Sequence, residues 1–87
     1  MAKPDNHVDL VIVVSGAPEA VRINRHQTLE HAVREALRES GNKGQRPEDW
    51  ELRNEAGQLL GLGMRPDEAG LFDGHTLFLS PKAGAGG

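Results

Sequence analysis

One stretch constrains this chain more than any other: TLEHAVREALRESG, residues 28–41. Its apolar residues Leu29, Ala32, Val33, Ala36 and Leu37 recur at i, i+3, i+4, i+7 and i+8, which draws a single stripe along a helix. Thr28 is the expected N-cap, because its hydroxyl can accept a free first-turn N–H. Glu30 and Arg38 complement the helix dipole, and Glu30 and Arg34 stand at i,i+4 in the favourable order. Gly41 supplies the left-handed residue that ends such a helix. The chain offers no second helix of this quality, so the stripe has to be buried against strands.

Strands are available on both sides. VDLVIVV (8–14) is rich in β-branched residues. Val8, Leu10, Ile12 and Val14 are expected to face the core, because Asp9 then meets solvent. Val11 and Val13 would be half-exposed or covered by a partner. SGAPE (15–19) carries the turn residues Gly16 and Pro18, and AVRIN (20–24) alternates, so a hairpin is predicted. After the helix, NKGQRPED (42–49) reads as a polar loop. WELRNEAGQLLG reads as two short strands around a turn at residues 55–57, anchored by Leu52, Leu59 and Leu60. GMRPDEAGLF is irregular, with one helical turn starting at Pro66–Asp67–Glu68. Asp73–Gly74 marks a tight turn. HTLFLS (75–80) is the last strand, with Leu77 and Leu79 on one face and Phe78 on the other. The order strand, strand, helix, strand, short strand, strand predicts an α+β fold of the β-grasp type: a mixed sheet of four to five strands packed on one helix.

With 87 residues, there is room for one domain. Only 3% of residues are aromatic, so the core must be aliphatic, helped by Phe72, Phe78 and Trp50. Trp50 is expected to be semi-buried at a strand edge, the alternative being an exposed contact of the kind tryptophan makes in interfaces. Cysteine is absent, which excludes a disulfide or a thiol nucleophile within these residues and suits a reducing cytoplasm, the expected location. The net charge is −3 with both signs interspersed, and no basic stripe suggests nucleic acid. The longest apolar run, Leu10 to Val14, is far too short to cross a membrane. His7, His26, His31 and His75 lack the convergent spacing of a metal site and read as solvent-exposed. No serine sits in a nucleophile elbow, and the glycines of GLGM (61–64) form no phosphate loop. Residues 1–7 form a lead-in, 8–80 the domain, and 81–87 a flexible tail ending in Gly-Gly.

Taken in register, TLEHAV, PEDWELRNEAGQLL and HTLFLS before a terminal GG resemble ubiquitin and its relatives, from about Val8 to Gly87. The resemblance implies that the tail carries the chemistry. Gly87, preceded by Gly86, would present a carboxylate that a ubiquitin-activating-type adenylating enzyme activates with ATP. A ubiquitin-conjugating-type enzyme would then pass it to a lysine of a target protein. The chain would bind no cofactor and be a substrate of enzymes, not an enzyme. The small residues Ala83, Gly84 and Ala85 fit passage into a narrow enzyme channel, since glycine allows close backbone approach. By alignment, Arg53 stands where ubiquitin has the central isoleucine of its recognition patch, Ser80 replaces a valine of that patch, and Lys82 lies near a tail arginine. Receptors of the ubiquitin patch should therefore bind poorly. Arg53, Phe78, Ser80 and Lys82 are the candidate partner contacts. The nearest resemblance is to bacterial ubiquitin-like proteins encoded with an activating enzyme, a conjugating enzyme and a JAB-type metalloprotease deconjugase. It implies antiviral defence by modification of phage proteins. Two other readings stay open at this point: a β-grasp sulphur carrier with a C-terminal thiocarboxylate, and a non-covalent interaction module.

Overall fold

The computed structural model describes residues 6–82. Strand β1 (His7–Val14) and strand β2 (Ala17–Asn24) form the hairpin. Helix α1 (Leu29–Glu39) follows. A short 3-10 turn (Pro47–Asp49) leads into β3 (Trp50–Arg53), and β4 (Leu59–Leu60) and β5 (Thr76–Pro81) complete one sheet. The sheet order is β2-β1-β5-β3-β4. Only β1 and β5 run parallel; the other pairs are antiparallel. This is the predicted β-grasp arrangement, with five strands and one helix among the described residues.

The hairpin turns on Ser15 and Gly16, both with positive φ (48° and 92°). Two such residues give the twist that matches the flanking strands. Pro18, which the sequence places in the turn, lies within β2, paired with Val13. A proline without an N–H is tolerated there because β2 is an edge strand.

The core is aliphatic. Val8, Leu10, Ile12 and Val14 of β1 are buried, as are Leu77 and Leu79 of β5 and all five residues of the helical stripe. Trp50 is only 7% exposed and joins that core. Val11 and Val13 are half-buried. Three expected core residues, Leu59, Phe72 and Phe78, are corrected. Leu59 is 59% exposed, because adjacent residues of a strand point to opposite faces and Leu60 takes the inward one. Phe72 is 62% exposed, because Leu71 fills the core from that loop instead. Phe78 points away from the core, as its alternation with Leu77 and Leu79 requires, at 44% exposure.

The helix termini show where local rules hold and where tertiary structure takes over. At the C-terminus, Gly41 has φ 83°, its N–H donates to Arg38 O, and the Asn42 N–H donates to Leu37 O at 2.8 Å. This is the paired-bond cap expected of glycine. At the N-terminus the Thr28 side chain makes no capping bond. The Leu29 N–H instead donates to Met64 O at 2.8 Å and the Glu30 N–H to Leu62 O at 2.9 Å. The GLGM loop therefore supplies with its carbonyls what the threonine hydroxyl was expected to supply. The Glu30–Arg34 pair forms at 2.7 Å. Residues 65–70 make the single helical turn, with the Ala69 N–H on Arg65 O at 3.1 Å.

Two stability predictions follow from these contacts. Thr28→Ala should cost less than about 0.5 kcal/mol in urea denaturation, below the ~1 kcal/mol typical of a working cap; a larger loss would mean the hydroxyl does cap the helix. Leu77→Ala should cost about 2–5 kcal/mol and Phe78→Ala less than about 1.5 kcal/mol, since only the first leaves a cavity in the core. Equal losses would contradict the assigned facing of β5.

Candidate functional site

The face of the sheet opposite α1 is where the candidate contacts gather. Alternation along β5 sends Phe78 and Ser80 to this face, and alternation along β3 sends Glu51 and Arg53 there too. Pairing then fixes their neighbours. Arg53 lies opposite Phe78, and Glu51 opposite Ser80. On the other flank of β5, Phe78 lies beside Val13, which pairs with Pro18 of β2. Leu59 of β4 lies beside Arg53. One row, Pro18–Val13–Phe78–Arg53–Leu59, thus crosses all five strands.

Four of its members are apolar, and the fifth is a cation. The Arg53 guanidinium lies 3.6 Å from the Glu51 carboxylate and donates to Gly57 O at 3.3 Å. Both are long contacts, and the Arg53 side chain remains 43% exposed. Nearer the start of β1, Arg22 pairs with Asp9 at 2.9 Å. The face therefore carries an apolar row broken by one cation, with the Arg22–Asp9 pair nearer the start of β1.

Of the four predicted contacts, Arg53 and Phe78 are brought side by side. Ser80 lies one step further along the same face. Lys82 stands apart, where the chain leaves β5: its N–H donates to Asp49 O at 2.9 Å, and its side chain borders a shallow cleft with Glu48, Trp50, Leu59 and Leu62. Gly86, Gly87, Ala83, Gly84 and Ala85 lie outside the described residues. Pro18 and Leu59 were not among the predicted contacts, and Val13 was expected only to be half-exposed or covered by a partner. Only Val13 carried a signal, as a β-branched residue on the polar side of β1.

The histidines need one correction. His7 and His26 are exposed, but His31 and His75 are half-buried. Nδ1 of His75 accepts the Phe72 N–H at 3.2 Å, and the two rings meet edge-on with centroids 5.8 Å apart. His75 thus shapes the turn into β5. No group of three metal-ligating side chains converges among the described residues. Ser40 has a structural role, donating to Leu37 O and accepting from Asn42.

A designed protein based on ubiquitin superimposes with a TM-score of 0.77 at 18% identity, covering 92% of this chain and 94% of that one. The ubiquitin of Caldiarchaeum subterraneum superimposes with a TM-score of 0.71 at 18% identity, covering 87% and 94%. At that identity the likeness establishes the fold, which is ubiquitin-like. In sequence, the chain is 40% identical over 92 aligned positions to the uncharacterized protein y4jI of Sinorhizobium fredii (strain NBRC 101917 / NGR234), covering 98% of this chain and 70% of that protein. A family model described as "Protein of Unknown function (DUF2604)" matches residues 3–87. The chain belongs to that family, and it has the fold of ubiquitin.

Proposed function

We propose that this protein is a ubiquitin-like modifier, joined through the carboxylate of Gly87 to lysines of other proteins. The observation that carries the reading is the ubiquitin-like sheet, whose central strand β5 delivers the chain at Lys82 to the rim beside Asp49. The residues that follow, AGAGG, carry nothing larger than a methyl group. In this reading the domain expected over residues 8–80 is the recognised body, extended by His7 of β1 and Pro81 of β5, and the residues after Lys82 are the reacting tail. Gly87 is either the encoded last residue or the one a protease exposes.

The chemistry belongs to the partners. An adenylating enzyme joins the Gly87 carboxylate to the α-phosphate of ATP and releases pyrophosphate. An enzyme thiol displaces AMP to give a thioester, which passes to the thiol of a conjugating enzyme. The target lysine's amine then attacks the carbonyl, the thiol leaves, and an isopeptide bond forms. A JAB-type metalloprotease would reverse the reaction by hydrolysis. This chain contributes the carboxylate that becomes the transferred acyl group and a recognition surface, and it acts as substrate throughout. The family relative comes from a bacterium, which supports a bacterial setting. Phage structural proteins are the proposed targets.

The reading is tested by recovering an N-terminally tagged copy from its host under denaturing conditions. Trypsin cuts after Lys82, so each conjugate should leave AGAGG branched on a target lysine, detectable by mass spectrometry. Deleting Gly86 and Gly87 should abolish every adduct and leave the unfolding midpoint unchanged. Adducts that persist in the deletion variant would sink the proposal. A terminal thiocarboxylate without adducts would identify a sulphur carrier instead.

A further inference from the structure

The cross-sheet row supports an inference that does not depend on conjugation. Its members come from strands far apart in sequence, yet four of the five are apolar: Pro18 lies beside Val13, Val13 beside Phe78, and Leu59 on the far side of Arg53. Phe78 and Leu59 are 44% and 59% exposed. An apolar strip of this kind suits a protein contact. Arg53, between Phe78 and Leu59, decides what kind.

Any partner that covers Phe78 and Leu59 must also cover Arg53 between them. A guanidinium taken out of water is costly unless its donors are matched. Here they are poorly matched. The Glu51 carboxylate is 3.6 Å away, beyond direct hydrogen-bonding range, and Gly57 O is a single neutral acceptor at 3.3 Å. The planar fork of an arginine is best completed by a second carboxylate bound through two parallel N–H···O contacts. A neutral or basic partner would leave Arg53 buried and underpaired.

We infer that this face binds a polypeptide segment of acidic–apolar character, which sets an apolar side chain against Val13 and Phe78 and an Asp or Glu carboxylate against Arg53. Phe78 is the anchor, and Arg53 is the residue that selects. Pro18 and Leu59 close the two ends of the strip against water.

The test is a selection of short random peptides displayed on phage against the full chain, wild type and Arg53→Glu in parallel. Wild type should select peptides with an acidic residue beside an apolar one. Arg53→Glu should select Lys or Arg at that position and bind the wild-type peptides at least about tenfold more weakly. Arg53→Gln, which adds no repulsion to Glu51, guards against misfolding and should lose the acidic preference while keeping the wild-type unfolding midpoint. Phe78→Ala should weaken all selected peptides by roughly tenfold. Amide shifts on binding should map to β1, β3 and β5. The inference is overturned if both proteins select the same acidic peptides, if no peptide is selected, or if the shifts map to α1. It is also overturned if wild type sediments as a dimer that Phe78→Ala dissociates, which would make a second copy the occupant.

Discussion

The pairing of β1 with β5 is the interaction on which the rest of the molecule depends. These two strands are the first and last of the sheet in sequence, yet they lie side by side at its centre, Val11 to Val14 against Thr76 to Leu79. Each contributes a fully apolar inner face, with Val8, Ile12 and Leu77 at 0% exposure. Helix α1 packs on β1 and β2, while β5 gives β3, and through it β4, their place in the sheet. Without the parallel pair the chain would be a hairpin with a helix and a separate, very short ribbon. Neither would bury enough apolar surface to offset its loss of conformational freedom.

The register of that pairing is set from one end by a small polar clamp. The Asp73 carboxylate accepts the Asp9 N–H at 2.9 Å, and the Gly74 N–H donates to Asp9 O at 2.8 Å. Both groups of one β1 peptide position are thereby engaged by the turn that launches β5. The Asp9 side chain is held in turn by Arg22 on β2. A slip of one residue would reverse the facing of every side chain on β5. Phe78 would enter the core, and Leu77 and Leu79 would go to water. The clamp therefore fixes the facing of β5 against β1, so the Phe78–Val13 adjacency is a consequence of where Asp73 binds.

Much of this was legible in the sequence because it depends on local periodicity. The helical stripe, the β1 facing, Gly41 and the β5 alternation each repeat with a period that one face of an element imposes. Leu59 and Leu60 had no such period to read. A two-residue strand sends its two side chains to opposite faces, and only pairing decides which is inward. Phe72 next to Leu71 posed the same problem in a loop. Thr28 was a sound cap by propensity, but the carbonyls of Leu62 and Met64 reached the first-turn N–H groups, and those residues lie more than thirty positions away. For the candidate site, alternation placed Arg53 and Phe78 on outward positions, while their adjacency, and that of Val13 and Pro18, required strand pairing across half the chain. Sequence patterns report the faces of elements; they do not report which elements touch.

The central parallel pair also has a kinetic meaning. Sixty-five positions separate Ile12 from its partner Leu77, so the cost of closing that loop falls before most of the sheet can form. A nascent chain can build the hairpin and helix early but must hold the second edge of β1 open until β5 arrives. That edge is apolar on its inner face and offers unpaired backbone groups, the properties that invite pairing with another chain. Synthesis from the N-terminus thus creates a window of exposure that ends only when the last strand is in place. Arrival of β5 closes the window in one step, which makes assembly and loss of the whole sheet a single cooperative event.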